Sequence, residues 1–484
     1  MRSSVRFMGF FTSCILVALM SFSGCGGGAP AAPSTTLSGN TSVTLLATST
    51  ANDQLSQFDI GLNSVTLTGD SGNTVKLFTT LPVAEFIHVN GTLEPLQTVS
   101  VPQGIYTSAT VSVGSSSFVC NGFDASNKLL YSSDFSDQQV PSSAVTVNLP
   151  SPITITGTAM GLSLDLLVSQ SASWGTCDPN SNASSPFSIT PTFNLTPVDI
   201  SAQPTNSANG RVLGLHGLVT SVDASGTGFS VTAADGPCWQ VTTSANTVYQ
   251  GITDFSQLAA GMPVDMDGVL QADGSLLVTR VAVYDKNTAS LSVSSGPLLY
   301  VVASQPTLST MSTEEQGYLP AAIGSTAYSF GHAIFQTSGQ LTSVPNLPFP
   351  TSFTAANMVA GQNVFLTTHA LTMQGGPTYT PASTITLLPQ TINGTVSAMG
   401  SSGSFTTYTI TLAPYDLFPA LAVQPGQTTL LTNPSQVVVY VDNNTQMLNT
   451  QPIAVGNVTR FYGLVFNDSG TLRMDCAQIN DGVK

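Results

Sequence analysis

Short apolar runs and alternating apolar and polar residues recur from residue 42 onward, and they predict strands rather than helices. Alternation is clearest at residues 64–68 and 107–113, and a turn-forming stretch at 69–73 separates two of the runs. A period of two places every second side chain on one face of a sheet. Many short strands with regular turn signals predict a β-sandwich over residues 42–200. A polar stretch at 201–210 is predicted to be a linker.

A repeat follows this linker. Its marker is an apolar residue, two further small or apolar residues and a glycine, with successive glycines roughly 100 residues apart. The three copies are Leu258-Ala259-Ala260-Gly261, Met358-Val359-Ala360-Gly361 and Ile453-Ala454-Val455-Gly456. Each is followed by a strand, and in the first copy Asp254 and Gln257 have the spacing of a helix capping box just before it.

The repeat predicts small barrels. Five or so strands and one short helical turn are typical of an OB-like barrel. We expect one barrel at residues 211–287 and another at 389–484. The intervening residues 288–388 are a diverged barrel or a strand-rich insertion. The predicted fold is therefore all-β: an N-terminal β-sandwich followed by two or three small OB-like β-barrel repeats.

The amino-terminal segment has the pattern of an export signal. Arg2 and Arg6 precede an apolar run at residues 7–22, and small residues follow. The run is shorter than the roughly 20 residues that a membrane-spanning helix needs, so a retained anchor is the weaker interpretation. Residues 25–41 are rich in Gly, Ala, Pro and Ser and predict a flexible tether.

The end of this segment, Phe22-Ser23-Gly24-Cys25, resembles a bacterial lipobox. The resemblance implies that a signal peptide of residues 1–24 is removed and that Cys25 is lipidated with acyl chains such as palmitate. Two or more chains hold a protein stably to a membrane. Secretion without lipid is the alternative. Since Gly26 rather than aspartate follows the cysteine, the outer membrane is favoured over the inner membrane.

Two further resemblances concern the folded part. The turn at residues 102–106, the strand Leu164-Asp165-Leu166 and the segment at 193–198 are similar to an uncharacterised sandwich domain of bacterial lipoproteins. Residues 208–287, with strands around Gly217 and Gly268, resemble an uncharacterised lipoprotein-associated barrel family. These resemblances imply surface or periplasmic β-modules without established catalytic residues.

Composition narrows the choice of partners. Only 7% of residues are charged and the formal net charge is −15. Without a basic cluster, such a chain repels phosphate backbones, so nucleic acid is excluded as a partner. The expected partners are the membrane, through the lipid anchor, and an envelope protein or a glycan.

The cysteines indicate disulfides. Cys14 leaves with the signal, and four cysteines remain beside Cys25. An oxidising envelope and the lack of a C-x-x-C spacing favour disulfides over zinc. We expect Cys120 to pair with Cys177. Cys238 and Cys476 are candidates for a second pair, with free buried thiols as the alternative.

Candidate catalytic and metal sites are weak. The four histidines, His88, His216, His332 and His369, stand apart from one another and from close acids. His216 is expected to face outward from a strand rather than to bind metal. Asp265 and Asp267 share one strand face, which is expected to be solvated. Residues 400–404 are expected to form a turn, not a nucleophile elbow.

Both tryptophans, Trp174 and Trp239, are expected to pack against a disulfide rather than to bind sugar. The sequence thus predicts no catalytic residues, metal or cofactor. It favours a lipid-anchored, non-catalytic binding, adhesion or structural module over two alternatives. These are a subunit of an envelope assembly or export complex, and a surface glycan hydrolase with acids from different domains.

Overall fold

A computed structural model describes the chain from residue 37 to residue 483 with gaps. The described ranges are 37–50, 55–78, 83–123, 129–138, 144–173, 188–200, 210–233, 236–302, 307–310, 326–339, 347–369, 380–413, 416–422 and 431–483. Almost all regular structure in them is β-strand, which confirms the all-β prediction. The lipobox, Cys25 and the tether up to residue 36 lie outside the described residues.

The first module is a β-sandwich. Its strands are β1 (Asn40–Thr50), β2 (Leu55–Gly69), β3 (Thr74–Phe78), β4 (Ala84–Glu85), β5 (Glu94–Pro102), β6 (Gly104–Phe123), β7 (Leu129–Gln138), β8 (Ala144–Val147), β9 (Ile153–Ile155), β10 (Ala159–Leu167), β11 (Ala172–Ser173), β12 (Ser188–Ile189) and β13 (Phe193–Val198). A short helix, α1 (Val168–Ser171), follows β10.

Two sheets enclose the sandwich core. One has the order β13-β10-β1-β5, and β1 runs parallel to β10 within it. The other has the order β3-β2-β6-β7, with β4 beside β2, and with β8 and β9 beside β6. Apolar side chains alternate inward from both sheets, and among them Phe58, Phe118 and Phe193 are almost completely buried, as is Phe86 just after β4. The predicted turn between β2 and β3 is confirmed.

Three six-stranded sheets follow, one in each barrel. The first barrel has β14 (Arg211–Val222), β15 (Gly228–Thr232), β16 (Cys238–Thr242), β17 (Val248–Gln250), β18 (Pro263–Leu270) and β19 (Leu276–Val283). The second has β20 (Leu291–Val302), β21 (Thr307–Thr310), β22 (Thr326–Ser329), β23 (Ile334–Thr337), β24 (Asn363–His369) and β25 (Thr380–Leu387). The third has β26 (Gln390–Ser402), β27 (Phe405–Leu412), β28 (Gln436–Val441), β29 (Gln446–Met447), β30 (Val458–Asp468) and β31 (Thr471–Asp481), with helix α2 (Leu417–Ala422) between β27 and β28.

All three barrels have the same strand order. Counted within each barrel, the order is third, second, first, fifth, sixth and fourth strand, and a parallel pairing of the third with the sixth strand closes the sheet. Residues 291–387 therefore form a barrel of the same kind as its two neighbours, although they match them poorly in sequence.

The repeated glycine has one structural role in all three barrels. Gly261, Gly361 and Gly456 have φ angles of 86°, 96° and 92°, a region that favours glycine. Their N–H groups donate to Val219, Leu298 and Val396 on the first strand of each barrel, at 2.7, 2.8 and 2.8 Å. The glycine thus turns the chain into the fifth strand while holding it to the first.

The structure tests two local predictions, a helix capping box at Asp254 and a turn at residues 400–404. Asp254 caps a 3-10 turn at Phe255–Gln257 by accepting from the Ser256 N–H, but Gln257 bonds Thr253 instead of completing a capping box. The turn predicted at residues 400–404 is confirmed as the hairpin between β26 and β27, with Gly403 at positive φ. Among the described residues, no helix is long and apolar enough to span a membrane.

Residues Ser38–Lys484 form one compact unit, so the sandwich and the barrels pack on one another. Trp239 of the first barrel is buried, and its indole N–H donates to the Pro95 carbonyl of the sandwich at 2.9 Å. Packing against a disulfide is therefore the wrong expectation for this residue. Gln362 of the second barrel donates to the Val465 carbonyl of the third at 2.9 Å.

Candidate functional site

The site is built around a sandwich loop, residues 86–93, that connects β4 to β5. Glu85, the last residue of β4, directly precedes this loop and is 1% exposed. Its carboxylate accepts backbone N–H bonds from Phe58, Ile87 and His88 at 2.7 to 2.9 Å. A buried carboxylate is stable when donors surround it in this way. These bonds fix the turn that carries the His88 side chain.

His88 lies between two carboxylates. Its Nδ1 is 2.9 Å from Glu85 Oε2, and its Nε2 is 2.9 Å from Glu94 Oε2. Its ring meets the ring of His216 in the first barrel edge to face, with centroids 6.3 Å apart. The expectation that the histidines stand apart from acids and from one another is therefore wrong. Glu85, three residues before His88, was the available signal.

The first barrel contributes a buried charged cluster on the outer face of β18 and β19. Asp265 and Asp267 are 1% and 8% exposed, so the prediction of a solvated face is wrong. Arg280 Nε donates to Asp267 Oδ2 at 2.7 Å, and its Nη2 donates to Asp265 Oδ1. The Tyr284 hydroxyl donates to Asp265 Oδ2 at 2.5 Å, and the Gly214 N–H donates to Asp267 Oδ1 at 2.9 Å.

The pKa shifts of Arg280, Asp267 and Tyr284 indicate the charge states of these three groups. Burial opposes the charge on Arg280, but Asp265 and Asp267 together raise its pKa well above the usual value. Burial likewise opposes ionisation of Asp267, yet Arg280 holds its pKa below the usual value. Burial, followed by the field of Asp265, raises the pKa of Tyr284. Arg280 and Asp267 are therefore an ion pair, and the Tyr284 phenol in the same cluster stays neutral.

The third barrel contributes Tyr462. Burial, then the fields of Asp265 and Asp267, raise the pKa of this phenol, so it remains protonated at any physiological pH. Its hydroxyl lies against the backbone of the first barrel, because a Cβ built on Gly214 would be only 2.6 Å from it. Gly214 also has a φ of 66°, so glycine is required there for two reasons.

Arg460, two residues before Tyr462, binds the sandwich loop. Its Nη1 donates to Asn90 Oδ1 at 2.7 Å and to the Ser49 carbonyl at 3.2 Å, while its Nε donates to the Asp481 carbonyl at 2.9 Å. The hydroxyl of Thr391 donates to the Asn90 carbonyl at 2.6 Å.

Further donors from β31 reach the same loop. Gln478 and Asn480 both donate to the Gly91 carbonyl. Four hydrogen bonds thus attach the sandwich loop to the third barrel. The bond from Arg460 to the Ser49 carbonyl, on the neighbouring strand, is a fifth contact with the sandwich.

A cavity of about 150 Å³, partly open to solvent, lies where these parts meet. It is lined by the sandwich loop and by all three barrels, and the polar side chains on its wall include His88, Glu94, His216, Asp265, Ser295, Asn363 and Tyr462. His216 is half-buried on this wall, with Nδ1 2.9 Å from the Gly214 carbonyl oxygen. It does not face outward into solvent as an isolated strand residue.

The remaining histidines lie elsewhere. His332 is exposed in a turn. His369 Nε2 lies 3.0 Å from Asp285 Oδ2. Burial lowers the pKa of His369, but its bonds to Ala289 and Asp285 outweigh this and raise it overall. In the described part of the chain, no group of three or more His, Cys, Asp or Glu is placed to hold a metal ion.

Of the two predicted disulfides, one is not tested by the structure and the other is wrong. Cys120 is buried in the sandwich core, but Cys177 lies outside the described residues, so their pairing stays a prediction. Cys238 and Cys476 are free thiols, and the second pair is therefore wrong. Cys238 is exposed at the start of β16, whereas Cys476 is buried in the core of the third barrel. Trp174 also lies outside the described residues.

Comparison with protein families identifies a similarity in the first barrel. Residues 216–282 match a family model described as a domain of unknown function, DUF5666. The match begins in β14 and ends in β19, so it covers most of the first barrel and includes Asp265, Asp267 and Arg280. A comparison with curated protein sequences finds no match. The first barrel is thus similar to an uncharacterised domain family.

Proposed function

We propose that this protein is lipid-anchored in the bacterial cell envelope, in the outer membrane, and that it acts there as a non-catalytic binding module. The observation that carries the proposal is the cavity at the meeting point of four β-modules that form one compact unit. Pockets between modules are common places for ligands because several surfaces converge there.

The bonds of the cavity wall support binding rather than catalysis. Both ring nitrogens of His88 face glutamates, and both oxygens of Asp265 accept hydrogen bonds, from Arg280 and Tyr284. A general acid or base must be able to exchange a proton with the substrate. Groups held in fixed ion pairs suit recognition better than proton transfer.

The sequence supports the anchoring half of the proposal. The lipobox-like Phe22–Cys25 segment follows an export signal, and the tether after it separates Cys25 from the compact unit that begins at Ser38. The membrane is then a partner through the acyl chains on Cys25.

The anchor is tested by expressing the full-length chain in a bacterium and analysing the mature amino terminus by mass spectrometry. We expect acylated Cys25 and recovery of the protein with the outer membrane. A Cys25→Ser variant should lose the acyl mass and leave the membrane fraction. An unmodified amino terminus on wild-type protein recovered from the cytosol would overturn the anchoring half.

The non-catalytic half is tested on the purified mature protein with a panel of bacterial polysaccharides. We expect no turnover. Turnover that Glu94→Gln abolishes and the exposed control Asp70→Asn retains would identify an enzyme and overturn the proposal.

A further inference from the structure

One side chain bridges the two ends of the sandwich loop. His88 Nδ1 lies 2.9 Å from Glu85 Oε2, and His88 Nε2 lies 2.9 Å from Glu94 Oε2. Glu85 ends β4, directly before the loop, and Glu94 begins β5, directly after it. The side chains of Glu85 and Glu94 are 0% and 5% exposed, and that of His88 is 16% exposed, so water competes little for these two bonds.

The two bonds need one more proton than a neutral histidine has. A neutral imidazole carries one N–H and one acceptor nitrogen, whereas an ionised carboxylate only accepts. Both oxygens of Glu85 accept backbone N–H bonds, so Glu85 is the acceptor and Nδ1 of His88 carries a proton. Without a second proton, lone pairs of Nε2 and Glu94 Oε2 would face each other at 2.9 Å. Because an imidazole is more basic than a carboxylate, this proton lies on the ring, and His88 is an imidazolium.

The groups around the ring favour its positive charge. Glu85 and Glu94 are in direct contact with it, and Asp265 of the first barrel, which is paired with Arg280, lines the same cavity. The ring of His216 packs against it edge to face, with centroids 6.3 Å apart. Nδ1 of His216 donates to a backbone carbonyl, which requires only the one proton of a neutral ring. A neutral His216 avoids the repulsion that two positive rings would have at this distance.

The bridged loop is the part of the sandwich that binds the third barrel. Asn90 and Gly91 accept four hydrogen bonds from that barrel, including one from Arg460, which stays charged. Tyr462 of the third barrel lines the cavity together with His88. Burial raises the pKa of Tyr462, and the opposing field of His88 is a smaller effect, so this phenol stays neutral and does not titrate with the ring.

We propose that Glu85, His88 and Glu94 form a proton-dependent clasp that holds the sandwich loop on the third barrel. When the Nε2 proton leaves to solvent, repulsion between Nε2 and the Glu94 carboxylate opens the clasp and loosens the loop. A histidine in the unfolded chain has the ordinary pKa of about 6.5, whereas the clasp holds its proton to higher pH. The stabilisation is therefore complete below about pH 6.5 and is lost as the pH rises above it. Because the loop lines the cavity, the cavity wall changes with it.

Hydrogen exchange of the loop at pH 6 and pH 9 tests the clasp on the purified mature protein. The amides of Asn90, Gly91 and Thr92 donate to backbone carbonyls, so their exchange reports loosening of the loop. After correction for base-catalysed exchange, we expect their protection to fall about tenfold or more at pH 9, as for the loss of one charge-assisted hydrogen bond. The amides of β2 and β6 in the sandwich core should change much less. Unchanged loop protection would overturn the proposal.

Glu94→Gln separates the proton from the hydrogen bond. The glutamine amide can donate to Nε2 of a neutral ring, so the loop stays closed without the extra proton. Loop protection should then be the same at both pH values. Asp70→Asn makes the same charge change in an exposed turn and should keep the wild-type pH dependence. Equal pH dependence in Glu94→Gln and wild type would overturn the clasp.

A measurement on the wild-type chain alone keeps the test valid if Glu94→Gln does not fold. Nitrogen-15 NMR of labelled histidines reports whether each ring nitrogen carries a proton, and His88 is identified by its contact with the His216 ring. We expect both ring nitrogens of His88 to be protonated at pH 8 in the folded protein, and a neutral ring in the urea-unfolded chain. A neutral His88 ring in the folded protein at pH 8 would overturn the proposal. Neither acylation of Cys25 nor the polysaccharide assay depends on the clasp, so the proposed function stands or fails separately.

Discussion

Replacing Arg460 with methionine tests whether the sandwich and the third barrel are held together by the sandwich loop. Methionine keeps an apolar stem of similar length but removes the guanidinium. The bonds to Asn90 Oδ1, the Ser49 carbonyl and the Asp481 carbonyl are lost together. Because Arg460 is only 7% exposed, water cannot easily replace the missing donors.

The cost follows from these three bonds. A hydrogen bond to a charged group contributes roughly 1.5–3 kcal/mol, and the variant also no longer buries a guanidinium, which offsets part of the loss. The variant leaves three neutral oxygen acceptors without this donor, and a buried acceptor left unpaired costs about 1–3 kcal/mol. We therefore expect Arg460→Met to lower the free energy of unfolding by about 3 kcal/mol.

Urea unfolding followed by circular dichroism measures this cost, and hydrogen exchange locates it. Exchange should accelerate most in the sandwich loop. Arg473→Met is the matched control, since Arg473 is more exposed and donates to Asp468 at 2.6 Å and to the Tyr440 hydroxyl, both within the third barrel. Its guanidinium also lies over the Phe349 ring, 5.8 Å from the centroid. The control variant should cost about 1 kcal/mol or less. Equal costs for the two variants, or unchanged exchange in the loop, would refute the role of Arg460.

Two further predictions concern the third barrel and its neighbour. Gly456→Ala should lower the free energy of unfolding by about 1–2 kcal/mol. The cause is the backbone φ of 92° alone, because a Cβ at this position meets nothing within 4 Å. Gly361→Ala should lower the free energy of unfolding by about 1–3 kcal/mol more than Gly456→Ala, because its Cβ would lie 2.6 Å from the Phe418 ring. Thermal unfolding measures both variants, and an equal loss of stability in the two would contradict this prediction. Burial, with a smaller contribution from Asp442, raises the pKa of Asp475 to about 7. The folded protein then binds this proton more tightly than the unfolded chain, so stability falls as pH rises from about 4 through about 7. The stability gained by Asp475→Asn should therefore grow between pH 4 and pH 8 in melting-temperature measurements, and an equal gain at both pH values would contradict the shift.

The strands and the repeats could be predicted from sequence because their causes are local. Alternation sets which face of a strand is buried. The glycine of each repeat marks a turn just before the fifth strand where a positive φ is needed. The second barrel shows that the fold needs few conserved features beyond these. It keeps Gly361 and the bond to Leu298, while much of the rest of its sequence has diverged.

The cavity could not be predicted because its wall comes from residues far apart in the chain. His88 and His216 meet only after the sandwich and the first barrel have packed together. Part of the arrangement was nevertheless visible in the sequence. Glu85 and Glu94 stand at the two ends of the sandwich loop that carries His88, and acids on both sides of a histidine are a local signal for an ion pair.

The failure at Asp265 has a general physical cause. Pairing registers place Asp265, Phe365 and Arg460 at equivalent positions of the three barrels, opposite His216, Ser295 and Asn393 respectively. An isolated barrel would expose this outer face to water. In this chain Asp265 lines the cavity, Phe365 packs on Tyr284 of the first barrel with ring centroids 5.1 Å apart, and Arg460 binds the sandwich loop. The three residues differ in chemistry because each faces a different neighbour. The barrels are therefore repeats in topology but not independent modules, and the first barrel expressed alone would expose Asp265, Asp267 and Arg280 without the packing that now buries them.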